Sequence, residues 1–187
     1  MMKFKNLDEK TRLLMMKELE IDIKNNSLYL SSRLNEDGLG EYVGILKKAI
    51  TEGSPDLFAD ELRQHQCLKT HERRRKPKGG FTIVKVPINA ADTLAEGEFN
   101  RFYIRASCRR AIDDGIDYVV VYRAKEVRDP RPESERLIGK NISARALLDD
   151  LRTHIGVDTA LGLPAGPNSG LSAMIPSNNA ARLSDRK

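Results

Sequence analysis

The sequence predicts an α+β fold, with α/β as the neighbouring class, and three observations carry that prediction. Apolar residues recur at three- and four-residue spacing through most of the first 70 positions. Two short runs rich in β-branched residues follow, at 81–86 and 118–122. A long helical pattern joins the runs, so a β-α-β unit with a parallel strand pair is expected inside one small mixed sheet. The chain is divided accordingly into a helical N-terminal region (1–72), a basic linker or loop (73–80), an α/β core (81–155) and an extended C-terminal arm (156–187).

The first helix is predicted to start at Asn6, which can cap it ahead of the acids Asp8 and Glu9, and to run to about Lys24. Leu7, Leu14, Met15, Leu19 and Ile23 supply its periodic apolar positions. Asn25-Asn26-Ser27 breaks the pattern, and Leu28-Tyr29-Leu30-Ser31-Ser32 reads as a short strand in preference to the entry of another helix. After a turn at Asp37-Gly38-Leu39-Gly40, a second amphipathic helix carries Tyr42, Ile45, Leu46, Ala49 and Ile50 and stops near Gly53. Ser54-Pro55-Asp56 then restarts a helix, because a capping Ser, a Pro at the first helical position and an acid behind it satisfy the orphan donors of a helix start. Leu57, Phe58, Leu62 and Leu68 form the expected inner side.

Between 73 and 78 five of six residues are basic, namely Arg73, Arg74, Arg75, Lys76 and Lys78, and Gly79-Gly80 closes the segment. It reads as an exposed connection. The strand at 81–86 stops at Pro87, which cannot donate to a ladder. Asn89 is placed to cap a helix from Ala90 to about Asp113, with Gly115 as its stop. The strand at 117–123 has a continuously apolar centre and is expected to be buried on both faces. Two prolines in Asp129-Pro130-Arg131-Pro132 indicate a polar loop. Ser143 can cap a last helix through Arg152, with Ala146, Leu147, Leu148 and Leu151 inward. Beyond Gly156 a Gly, Pro, Asn and Ser composition indicates an arm without a core of its own.

Composition narrows the class without naming a partner. Among 187 residues, 40% are apolar and 32% charged, a composition expected of a globular protein with a highly charged surface, and no apolar stretch approaches the length of a membrane span. Lys and Arg number 32 against 27 Asp and Glu, a formal net charge of +5 that is too small for a dedicated nucleic-acid coat. Cys67 and Cys108 are far apart and lack a CxxC spacing, so neither a disulfide framework nor a zinc site is expected. A charged start in place of an apolar leader gives a cytoplasmic reading with no membrane partner.

The most specific feature is the arginine stripe of the 90–113 helix. Arg101, Arg105 and Arg109 stand four residues apart and share one helix face, beside a sector of Ala95, Phe99, Phe102, Tyr103 and Ala106 that is expected to face the sheet. Like charges at this spacing repel. The stripe therefore needs anions, either external phosphates or internal carboxylates such as Glu98, Asp113 and Asp114. With the basic segment, it forms the candidate nucleic-acid site: Arg73, Arg74, Arg75, Lys76 and Lys78 for electrostatic attachment, and Arg101, Arg105 and Arg109 for geometry.

Catalytic signals are poor. His65, His71 and His154 show no HExxH or HxH spacing. Cys108 could be activated by neighbouring cations, although a semi-buried helical cysteine is commoner. The acid pairs Asp113-Asp114 and Asp149-Asp150 do not share a helix face. A metal nuclease fails because Asp117 and Lys125 lie about 26 Å apart along an extended strand. No phosphate loop follows Gly162, Gly166 or Gly170. No catalytic, cofactor or metal residue is assigned. The expected function is non-enzymatic binding of nucleic acid or an acidic protein surface. The alternative is a structural or assembly subunit, for example of a phage-like particle, whose C-terminal arm contacts neighbouring subunits in an oligomer.

Overall fold

Six helices and five strands form in a computed structural model that describes residues 2–155 and 170–176. The helices are α1 (Glu9–Lys24), α2 (Glu36–Glu52), α3 (Pro55–Gln64), α4 (Ala90–Asp113), α5 (Pro132–Glu135) and α6 (Ala144–Thr153). The strands are β1 (His71–Arg75), β2 (Phe81–Lys85), β3 (Tyr118–Arg123), β4 (Asn141–Ser143) and β5 (Leu171–Met174). The α+β class holds, but the sheets differ from expectation. There are two among the described residues, β1-β2 and β4-β3-β5, and every pairing is antiparallel.

The expected β-α-β unit does not form. β2 and β3 flank α4 as predicted, yet they belong to different sheets. β2 is satisfied by β1 across a five-residue loop, and closing so short a loop costs far less entropy than a crossover. β3 instead takes β4 and β5 on its two edges, with Val120 opposite both Asn141 and Met174. The arm expected from 156 onward thus contributes β5 to the central sheet; residues 156–169 and 177–187 lie outside the described residues. Leu28-Tyr29-Leu30 is not a strand; nearby, a single bridge joins Leu34 to Leu68.

Local capping signals read correctly in several places. The Ser54 side chain accepts from Leu57 N (3.2 Å) with Pro55 next to it, and Ser143 accepts from Ala146 N at 3.3 Å. At α1, Asp8 caps by accepting from Thr11 N (3.0 Å), while Asn6 accepts from Ile175 N (2.9 Å), tying the start of the chain to the end of β5. Asn35 caps α2 one turn earlier than expected, so Gly38 is helical and buried. It must be glycine for a packing reason: a Cβ there would stand 2.1 Å from the Cys67 carbonyl oxygen.

Helix α4 is the hub. It packs on α1, α3, α6, β3 and β5, so nearly all of its circumference from Glu98 to Cys108 is buried. One apolar cluster runs from Leu14 and Met15 of α1 through Tyr42, Phe58, Phe99 and Phe102 to Val119, Leu148 and Ala173. The basic segment between the helical region and the α/β core therefore does not separate two cores. Phe4 closes one side of α4, its ring centroid 5.3 Å from that of Phe99 and 4.6 Å from that of Tyr103. Each fully buried ring of this kind contributes roughly 1.5–3 kcal/mol through removal of apolar surface from water.

Candidate functional site

The arginine stripe turns inward. Arg105 is 0% exposed, Arg101 6%, and the side chain of Arg109 41%. Arg105 donates from Nε to Glu18 Oε2 (3.0 Å), from Nη1 to Asp22 Oδ2 (2.6 Å), and from Nη2 to Asp22 Oδ1 (2.9 Å) and the Glu18 carbonyl (3.3 Å). Arg152 of α6 also grips Glu18, Nη2 to Oε1 at 2.6 Å and Nε to Oε2 at 3.0 Å. Arg109 Nη1 lies 3.7 Å from Glu18 Oε1 and its Nε 3.6 Å from Asp113 Oδ1. Three guanidinium groups thus meet three carboxylates.

This arrangement follows from α1. Thr11, Leu14, Met15, Glu18, Leu19 and Asp22 recur at helical spacing, so the face α1 buries against α4 carries two carboxylates one turn apart. A buried guanidinium without them would be prohibitive, whereas the fork geometry of Arg satisfies both acids at once. Burial pushes the Glu18 carboxyl up, but hydrogen bonds and charge from Arg152 and Arg105 outweigh it and leave its pKa below the usual carboxylate range. Arg101 donates to the Leu151 carbonyl at the end of α6 (2.7 Å) and lies 3.9 Å from Glu98. Arg105 consequently presents no surface to an external phosphate and Arg101 very little, and the expectation that loop and stripe form one anion-binding surface is corrected.

The basic segment is a hairpin and not a linker. His71, Arg73 and Arg75 face one side of β1, opposite Lys85, Ile83 and Phe81 of β2; Glu72 and Arg74 face the other, opposite Val84 and Thr82. The turn at Lys76-Pro77-Lys78-Gly79-Gly80 closes through Gly79 N to the Lys76 carbonyl (3.1 Å) and Lys76 N to the Gly80 carbonyl (3.0 Å). Gly79 and Gly80 adopt φ of 91° and 76°, which glycine takes without a Cβ penalty. A run as charged as His-Glu-Arg-Arg-Arg has no strand periodicity, and it is ordered by its cross-strand partner rather than by propensity.

β1 and β2 pack chiefly on each other, and the ribbon is fastened at its base. Lys69 N donates to the Arg33 carbonyl (2.8 Å) and Val86 N to the Thr70 carbonyl (2.9 Å). Arg33 grips Glu72 in a bidentate pair, Nε to Oε2 at 2.6 Å and Nη2 to Oε1 at 3.1 Å, and Arg74 Nη2 donates to the same Oε1 at 3.1 Å. The Arg33 hydrogen bond holds the Glu72 carboxyl below its usual range. Glu72 is the hairpin's single acid, so its charge is spent at the base.

The outward face is left cationic and apolar together. Phe81 is 53% and Ile83 74% exposed, and the Arg73 guanidinium carbon sits 3.8 Å from the centre of the Phe81 ring. Residues 71–85 hold six of the chain's 32 Lys and Arg and one of its 27 Asp and Glu, leaving 26 of each elsewhere. The hairpin therefore carries the whole formal charge of +5. Arg73, Arg74, Arg75, Lys76 and Lys78 come together on it as a group. Lys85, Phe81 and Ile83 join them and were missed, because β-branched and aromatic content marks a strand without saying which of its faces stays open to solvent.

The remaining candidates resolve structurally. Cys108 is buried, and desolvation, reinforced by the Glu18 charge, pushes its thiol up to about 12, so it is not the activated nucleophile its arginine neighbours allowed. Cys67 is buried and also raised. His65 and His154 sit beside the acids one turn earlier, at 3.6 Å from Glu61 and 2.5 Å from Asp150. Among the described residues no group of three His, Cys, Asp or Glu side chains could hold a metal ion, and no helix is long and apolar enough to cross a membrane. Comparisons with protein-family models, curated proteins and solved structures found no match.

Proposed function

We propose that the protein is a non-enzymatic nucleic-acid-binding protein whose attachment surface is the β1–β2 hairpin. The observation that carries this reading is the concentration of all excess positive charge on a ribbon that stands on its own and whose single acid is already neutralised by Arg33. Phosphates attract such a surface over about a Debye length, and each lysine or arginine that replaces a condensed counterion adds an entropic gain. The α4 stripe serves this reading indirectly, as the internal ion network that holds α1 and α6 on the hub.

Fluorescence anisotropy with labelled oligonucleotides tests it. Affinity is expected to fall between about 50 and 200 mM salt with a slope in log K against log salt of about −2 to −4.5, as roughly three to five neutralised phosphates on single strands or duplexes require. R73A/R75A/K76A/K78A is expected to abolish most of the binding and flatten the slope. Absence of binding at 50 mM salt to single strands and duplexes alike overturns the reading.

A structural or assembly subunit remains the second reading, and one observation favours it: Ile83 at 74% and Ile88 at 98% exposure leave apolar side chains beside a ribbon whose two edges pair with no further strand among the described residues. Sedimentation velocity decides it. A monomer across the micromolar range removes this reading.

A further inference from the structure

The hairpin's outward face distinguishes among nucleic acids by what it offers besides charge. A surface built only for phosphates has no use for a half-exposed phenyl ring and a three-quarters-exposed isoleucine, which cost free energy by ordering water unless a ligand covers them. Duplexes cover such groups poorly. Their base faces are stacked on one another, their grooves present polar edges, and the thymine methyl is the main apolar group there. Unpaired nucleotides expose both faces of each base, and aromatic rings and guanidinium planes are the side chains on which those faces stack.

The geometry on β1 and β2 supplies such a platform. Arg73 crosses diagonally from its partner Ile83 to lie over Phe81, 3.8 Å from the ring centre, so a cation and an aromatic ring are held in one packed unit. Arg75 stands directly opposite Phe81 and Lys85 opposite His71, which puts cations at both ends of the apolar pair on the same face. The hairpin's single acid does not share that face, because Glu72 points to the other and is held by Arg33.

We propose that this face binds single-stranded nucleic acid, with an unpaired base stacked on the Arg73–Phe81 unit and the flanking phosphates held by Arg75 and Lys85. The inference rests on the hairpin-binding reading above and adds the strandedness of the ligand and the contact that selects it. Phe81 acts by stacking, whereas Arg75, Lys76, Lys78 and Lys85 act by charge. The two contributions separate in experiment.

The test is anisotropy on the full chain with a mixed-sequence 16-nucleotide single strand and with its duplex, in wild type, F81A, F81W and K76A/K78A. The single strand is expected to bind more tightly than the duplex at equal salt. F81A is expected to weaken the single strand on the order of 10- to 100-fold without changing the salt slope, and to leave the duplex within about two-fold. F81W is expected to keep wild-type affinity, and K76A/K78A to lower both ligands and reduce the slope. Thermal melts of F81A check the fold, which a half-exposed ring leaves unchanged. Duplex binding equal to or tighter than single-strand binding, or an F81A affinity equal to wild type, overturns this inference while leaving charge-driven attachment standing. Loss of all binding in wild type overturns both.

Discussion

Two arginine triples in one chain end in opposite environments. Arg101, Arg105 and Arg109 lie on α4 at the centre of the molecule, where Glu18 and Asp22 of α1 meet Arg105, Glu18 also reaches Arg109, and the Leu151 carbonyl and Glu98 receive Arg101. Arg73, Arg74 and Arg75 lie on β1, where only Glu72 is at hand and Arg33 has already claimed it. The stripe has the spacing of a recognition surface and is structural; the run has the look of a linker and is the exposed cationic surface. What separates them is the element that packs opposite. A helix face is covered by another helix that can bring carboxylates across, whereas a two-stranded ribbon leaves one face open to solvent.

That contrast can be broken most sharply at Arg105. R105A leaves the buried Asp22 carboxylate without its cation and Glu18 with Arg152 as its remaining close one, and a loss of about 3–5 kcal/mol is expected in urea denaturation. Faster labelling of the buried Cys108 by a thiol reagent is expected with it, while oligonucleotide affinity stays at the wild-type value under conditions where the fold persists. The opposite pattern is expected of R73A/R75A/K76A/K78A: oligonucleotide binding largely lost and stability within about 0.5 kcal/mol of wild type, as for exposed positions generally. If both variants lose binding with folds intact, the stripe also touches the ligand and the contrast fails.

Glu18 sharpens the comparison through pH. Its folded pKa lies below the ordinary 4.5, so its stabilisation is fully present above 4.5 and is lost as pH falls through the lowered folded value. E18Q is expected to cost about 2 kcal/mol at pH 7 by weakening charge-assisted bonds from Arg105 and Arg152. It is also expected to flatten the fall in stability below pH 4.5, measured by urea midpoints from pH 3 to 7. A variant as acid-sensitive as wild type removes Glu18 from the acid transition. The smallest effect belongs to Arg109, whose half-exposed guanidinium makes only long pairs, 3.6 Å to Asp113 and 3.7 Å to the buried Glu18, and predicts about 0.5 kcal/mol for R109A. A cost as large as that of R105A would place Arg109 in the buried network.

Some of this was readable from residues alone. Ser54-Pro55 and Ser143 announced α3 and α6, because caps act within a turn of the backbone; α4 spans the predicted Ala90 to Asp113, although Asn89 at its start makes no side-chain cap hydrogen bond, contrary to expectation. The partners of the stripe left a fainter trace: Glu18 and Asp22 share the spacing of Leu14, Met15 and Leu19, and acids on an apolar face call for a buried cation. Which cation answers them is not local, since Arg105 stands 83 and 87 residues away. β1 left none, as its order comes from pairing with β2.

Sequence alone therefore settled the α+β class, the bounds of the long helix, the closure at Gly79-Gly80 and the concentration of basic residues between 73 and 78. Tertiary structure decided which of those cations face water. The physical reason is that helix propensity and capping are short-range, whereas the cost of burying a charge is set by whatever carboxylate another element brings within about 3 Å. For Arg105 that element is α1, and for Arg73, among the described residues, it is β2, which brings the ring of Phe81 and no carboxylate.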